Sequence, residues 1–162
     1  MIALINPDDC RDLGLPKAAG AIAMSPWLDL TNCVPSRQTN LHNDAVITLE
    51  SAFELLSDLL LKEGMSPASP SVNALFGEWN DLPPVAFFVG ATERVRDDAV
   101  LAAEKIRASN GKVLLEEHPY CPHVYPVFCI VVPESREAVS SPRLLLVLDY
   151  LVIGRADSTI LL

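Results

Sequence analysis

Apolar residues along this chain fall into two kinds of pattern. Gly20-Ala21-Ile22-Ala23-Met24-Ser25-Pro26 and Val85 to Val89 are short continuous apolar runs bounded by Gly, Pro or polar residues. That is the pattern of strands buried on both faces. Elsewhere the spacing becomes helical. Leu49, Ala52, Phe53, Leu56, Leu59 and Leu60 follow the i, i+3, i+4, i+7 rule, with Glu50, Glu54, Asp58 and Lys62 between them. This predicts an amphipathic helix packed through its leucine face, N-capped by Thr48 with Glu50 in its first turn, and closed by Gly64. A second helix is predicted from the stripe Ala99, Ala103 and Ile106. Asp97 and Asp98 suit its first turn, Lys105 and Arg107 its last, and Asn110-Gly111 its stop. Lys112 to Glu116 then reads as a third strand.

Between these elements, residues 29–44 and 65–83 are punctuated by Pro, Ser, Asn and Thr and read as loops. A strand, helix, strand order predicts an α/β fold with a three-strand parallel core, right-handed crossovers and flanking helices. The chain has 162 residues, one domain's worth. Its net charge of −9 argues against nucleic acid and anionic membrane surfaces as partners.

No basic segment followed by an apolar core opens the sequence. The most apolar stretch, Leu144 to Ile153, is about half a membrane span and is interrupted by Asp149. The expectation is a soluble, cytoplasmic protein with no membrane span. Cys10, Cys33, Cys121 and Cys129 lack paired close spacing, which argues against a disulfide framework and a Cys-x-x-Cys knuckle and for buried free thiols.

Two segments carry candidate chemistry. Phe87-Phe88-Val89-Gly90-Ala91-Thr92-Glu93-Arg94-Val95-Arg96-Asp97-Asp98 and His118-Pro119-Tyr120-Cys121-Pro122-His123-Val124-Tyr125 each run from a buried-strand signature into a polar residue. One supplies acids and the other histidines, which is how an α/β enzyme presents the acid and base of a catalytic triad. A nucleophile elbow is missing, since no Gly-x-Ser-x-Gly occurs. The nearest approach, Gly64-Met65-Ser66-Pro67-Ala68, follows a helical segment and carries Pro67 where the strained strand-to-helix turn would be. His118, Cys121 and His123 also match the ligand types and spacing of a zinc site. A fourth ligand is not evident, Pro119 and Pro122 stiffen the segment, and the expectation is no metal and no cofactor.

The chain resembles the hormone-sensitive-lipase-like α/β-hydrolases, the fold-3 group of carboxylesterases. The match runs through Gly14-Leu15-Pro16, Ala19-Gly20-Ala21, Ser25-Pro26-Trp27-Leu28-Asp29-Leu30-Thr31, Asp81-Leu82-Pro83-Pro84-Val85, Val89-Gly90, Asp97-Asp98, Pro122-His123-Val124 and Pro133-Glu134-Ser135-Arg136-Glu137-Ala138. It covers only the family's C-terminal half. The resemblance implies a partial α/β-hydrolase whose three strands are the sixth, seventh and eighth of the family's sheet, with Met1 to Leu15 as the tail of the helix after the elbow. By position it assigns the triad histidine to His123 and the triad acid to Glu93. Most relatives have Asp there, in Asp-x-Leu-x-Asp, where this chain reads Glu93-Arg94-Val95-Arg96-Asp97. Asp97 and Asp98 are the alternatives for the acid, although Asp97 also suits plain helix capping. Trp27 lines an acyl pocket by family analogy, or simply packs.

On this reading residues 1–139 are the C-terminal portion of an α/β-hydrolase domain and 140–162 a divergent apolar tail. The tail is either a helix docked on bare sheet surface or the product of an altered reading frame. The function expected is that of the C-terminal half of a serine carboxylic ester hydrolase acting, when complete, on small acyl esters. The chain by itself, without nucleophile or oxyanion hole, is expected to be inactive. The alternative is a non-catalytic remnant or interaction module. Either way the apolar edge Ala21 to Met24 is a template for homo-oligomerisation or for the missing N-terminal half.

Overall fold

The computed structural model describes residues 20–131 and 133–140. The Gly14-Leu15-Pro16 motif, the helix tail expected at Met1 to Leu15, Cys10 and the Leu144 to Ile153 stretch lie outside the described residues. Three strands, β1 (Ala21–Met24), β2 (Val85–Gly90) and β3 (Val113–His118), form one parallel sheet in the order β1-β2-β3. The register pairs Met24 with Phe88 on one side of β2 and Gly90 with His118 on the other.

Every residue of β2 is buried, and its alternation divides the core in two. Val85, Phe87 and Val89 pack with Ala99, Ala102, Ala103 and Ile106 of the helix Arg96–Ala108. Ala86 and Phe88 pack on the opposite face with Leu114, Cys121, Tyr125 and Ala138. The continuous apolar run is thus explained by cover on both faces. In β1 only Ala23 is buried, because no described strand lies on its outer side; burial of the whole run on both faces, as its sequence predicts, is not observed.

In chain order the helices are α1 (Ser36–Thr39), α2 (Ala52–Leu60), α3 (Arg96–Ala108) and α4 (Pro133–Ser140), with 3-10 turns at Ala74–Phe76 and Tyr125–Phe128. The predicted stop of α3 is observed: Asn110 takes a left-handed φ of 57° and the Gly111 N–H donates to the Ile106 carbonyl at 2.8 Å. A Cβ at Gly111 would stand 2.7 Å from Ile106 Cγ2, so only glycine fits there.

The α2 prediction needs two corrections. The helix starts at Ala52 rather than after Thr48, because the Leu49 and Glu50 carbonyls are drawn onto the Arg94 guanidinium. Its leucine face is also bare: only Phe53 and Ser57 are buried, while Leu55, Leu56, Leu59 and Leu60 are exposed. Among the described residues no helix is long and apolar enough to cross a membrane.

Candidate active site

The site forms where β2 and β3 end side by side. Their parallel register brings the turn after Gly90 next to the loop after His118, at the carboxyl ends of the strands, where open α/β sheets carry their ligand-binding crevices. The approach of the two backbones is close. A Cβ on Gly90 would lie 2.0 Å from the Cys121 carbonyl oxygen and 3.1 Å from Glu93 Oε1, so glycine is required for this geometry.

Glu93 follows in the turn, with its N–H donating to the Gly90 carbonyl at 3.1 Å. Its side chain is fully buried and both oxygens are engaged. Oε1 accepts from the Gly90 N–H and, at 2.8 Å, from the Ser25 hydroxyl. Oε2 lies 2.8 Å from Nδ1 of His123, whose side chain is 23% exposed. A carboxylate only accepts hydrogen bonds, so this contact places the imidazole proton on Nδ1 and leaves Nε2 as the acceptor of the neutral ring. Chemically, a partly exposed histidine oriented by a buried acid can take a proton from a hydroxyl brought to its Nε2.

A dense set of bonds holds the acid-bearing turn. The Asn40 amide donates to the carbonyls of Ala91 and Glu93 at 3.1 and 2.8 Å. Asp44 accepts from the Arg94 N–H at 2.9 Å, and Ser36 Oγ donates to the Arg94 carbonyl at 2.8 Å. Neither alternative acid reaches the histidine in this arrangement. Asp97 accepts from the Ser36 N–H and the Arg96 guanidinium, both at 2.8 Å. Asp98 accepts from the Leu28 and Asp29 N–H groups at 2.8 Å and from both terminal nitrogens of Arg37 at 2.7 and 2.9 Å. Burial raises the Asp98 carboxyl above its ordinary value, against the opposing pull of Arg37 and the two backbone donors.

The histidine loop is held differently. Tyr120 and Val124 both have positive φ, 62° and 53°, and the Val124 N–H donates to the Ser25 hydroxyl at 2.8 Å. Cys121 is buried, with Sγ 3.1 Å from His118 Nδ1. Burial, followed by the charges of Glu134 and Glu93, pushes this thiol up, which disfavours the thiolate that nucleophilic attack or metal ligation needs.

His118 turns to Cys121 and the Pro119 carbonyl while His123 turns to Glu93, so the three candidate zinc ligands do not converge. Among the described residues no group of three such side chains stands close enough to hold a metal ion. Ser66 sits in an exposed turn, its hydroxyl accepting from the Ala68 N–H at 3.3 Å. Trp27 donates to the Asp29 carbonyl at 2.8 Å and meets Phe53 edge-on, with ring centroids 5.3 Å apart.

Sequence reasoning assigned no role to Ser25, Asn40 or Arg37. A polar residue directly after a buried strand, as in Met24-Ser25-Pro26, was the available signal for Ser25. Nothing in the spacing of Asn40 or Arg37 marks them.

A family model described as the alpha/beta hydrolase fold matches residues 2–127. The chain belongs to this α/β-hydrolase family. It is 30% identical over 129 residues to an acetyl-hydrolase of Streptomyces hygroscopicus, covering 80% of this chain and 42% of the relative. It is likewise 30% identical over 122 residues to an esterase of Acinetobacter venetianus, covering 75% of this chain and 40% of that protein. A solved esterase of the bacterial hormone-sensitive lipase family superposes with a TM-score of 0.76 at 28% identity, over 82% of this chain and 44% of the other. The chain therefore spans less than half the length of the relatives it matches.

Proposed function

We propose that this chain supplies the base and acid of a serine carboxylic ester hydrolase, with His123 as the base and Glu93 as the acid that orients it. The observation that carries the reading is the 2.8 Å contact between His123 Nδ1 and a fully buried Glu93 carboxylate at adjacent strand ends. His123 Nε2 takes the proton of a serine hydroxyl as it attacks a small acyl ester, and returns it to the departing alcohol. Glu93 holds the imidazole tautomer and offsets the charge that develops on it.

The serine and the oxyanion-hole donors are not encoded here, because neither Gly-x-Ser-x-Gly nor His-Gly-Gly-Gly occurs in the sequence. The chain alone is therefore inactive on this reading, and the complementary half docks against the edge of β1 that no described strand pairs. On this reading residues 1–139 are the C-terminal portion of the hydrolase domain and the sequence of 140–162 is a divergent apolar tail. A cytoplasmic location fits the free cysteines Cys33, Cys121 and Cys129.

A second reading, an interaction module without catalysis, is favoured by one observation. Large apolar side chains stand exposed, among them Leu59, Ile130 and Val131 at 79, 84 and 74%.

The test is a chimera in which the full chain replaces the C-terminal portion of the Acinetobacter venetianus esterase. Hydrolysis of p-nitrophenyl acetate is expected, falling roughly 10³-fold with His123→Ala. A folded chimera that is inactive, or indifferent to His123, sinks the enzymatic reading and leaves the interaction module.

A further inference from the structure

We propose that Ser25 is a positioning residue for the Glu93–His123 pair, its single hydroxyl fixing the acid's carboxylate and the base's loop at the same time. The inference rests on the reading of Glu93 and His123 as acid and base. Ser25 is 4% exposed and stands immediately after β1, beyond the pairing of Met24 with Phe88. Its N–H donates to the Phe88 carbonyl at 2.7 Å, which ties it to the strand that leads to Glu93. Its Oγ then bonds in both directions. It donates to Glu93 Oε1 at 2.8 Å and accepts from the Val124 N–H at 2.8 Å, one residue beyond His123.

The backbone shows that these bonds work against local preference. Ser25 has a φ of 46° and Val124 a φ of 53°. Left-handed geometry is disfavoured for a residue with a Cβ, and it is least favourable for a β-branched residue such as Val124. Strained residues persist where surrounding structure over-determines them, and such places cluster at functional sites. Here two strained residues face each other across one hydrogen bond. The consequence is specific. With Oε1 held by Ser25 and the Gly90 N–H, the carboxylate cannot rotate freely, and Oε2 is left facing His123 Nδ1. Glutamate has one more rotatable bond than the aspartate common at this position in the resembling family. A second anchor on its carboxylate offsets that added freedom.

The experiment follows the Nδ1 proton of His123 by NMR in the full chain with ¹⁵N-labelled histidine. An imidazole proton shared with a buried carboxylate resonates far downfield and exchanges slowly with water; His123→Gln and Glu93→Gln identify it by its loss. Ser25→Gly removes the hydroxyl and relieves the left-handed strain, so it loses less stability than a variant that keeps a Cβ. Ser25→Ala removes the hydroxyl and keeps the strain. Both variants are expected to speed exchange of this proton by at least about tenfold, the size expected for a lost hydrogen bond to a charged group. The effect follows the hydroxyl, although the two variants differ in thermal stability. A downfield proton unchanged in Ser25→Gly and Ser25→Ala overturns the role of Ser25 and leaves the Glu93–His123 reading intact. A wild-type chain with no such proton, or one indifferent to Glu93→Gln, overturns both.

Discussion

Helices α2 and α3 look alike in sequence and are held in opposite ways. Both carry an apolar stripe at helical spacing, yet Ala99, Ala102, Ala103 and Ile106 of α3 are completely buried while the leucines of α2 face outward. Small residues let α3 lie close on β2 and β3, and its stripe is covered by Phe87 and Val89. Helix α2 is anchored by other means. The guanidinium groups of Arg37 and Arg94 lie over the Phe53 ring, 4.1 and 4.7 Å from its centre, and Trp27 meets it edge-on. Ser57 donates to the Leu30 carbonyl at 3.2 Å. The contrast teaches that an apolar period identifies a face able to bury itself, and says nothing about whether a partner lies there.

If the polar network under α2 is as important as the apolar packing under α3, removing its centre produces the largest loss. Arg37→Ala strands the Asp98 carboxyl, fully buried in this pair, without its guanidinium. About 4 kcal/mol of unfolding free energy is expected to disappear in urea titrations. A loss below about 1 kcal/mol would show that α2 and its loop are held by something else.

Next in size is Ile106→Ala in α3. A cavity under a completely buried isoleucine costs about 3 kcal/mol, read from the same titration.

A smaller, acid-dependent effect is expected at Asp29, in the loop between β1 and α1. Burial pushes its carboxyl up, but the Thr31 hydroxyl and N–H, the Cys33 N–H and the Asn73 amide outweigh this and hold it below the ordinary value of 3.8. The stability it contributes is therefore complete above that value and lost as pH falls through the lowered one. Asp29→Asn should flatten the acid limb of a pH-unfolding curve. An unchanged limb would assign that limb to other groups.

The smallest change belongs to the bare face. Leu59→Ala, at a residue 79% exposed, is expected to alter stability by no more than about 0.5 kcal/mol. A loss the size of that at Ile106 would mean that the leucine face is covered in solution and would erase the contrast between the helices.

Much of the fold could be read directly from the sequence. The run Val85 to Val89, the stripe of α3 and the Asn110-Gly111 stop each act within a few residues, and each appears where its pattern places it. The start of α2, and the cover expected over β1 and over the leucine face of α2, were misread because they depend on what lies beside them. At the site, Glu93 and His123 were reachable through the resemblance and the strand-to-polar-residue pattern. Asn40 and Ser25 were not, because their roles depend on contacts 53 and 68 residues away in sequence.

By itself the sequence determined local elements and a family, because side-chain period, turn residues and short motifs operate along neighbouring positions. Tertiary structure alone decided that a carboxylate and an imidazole 30 residues apart meet at 2.8 Å. It did so through parallel pairing: aligning Gly90 with His118 sets both strand ends at one level, and the glycine lets the two loops touch.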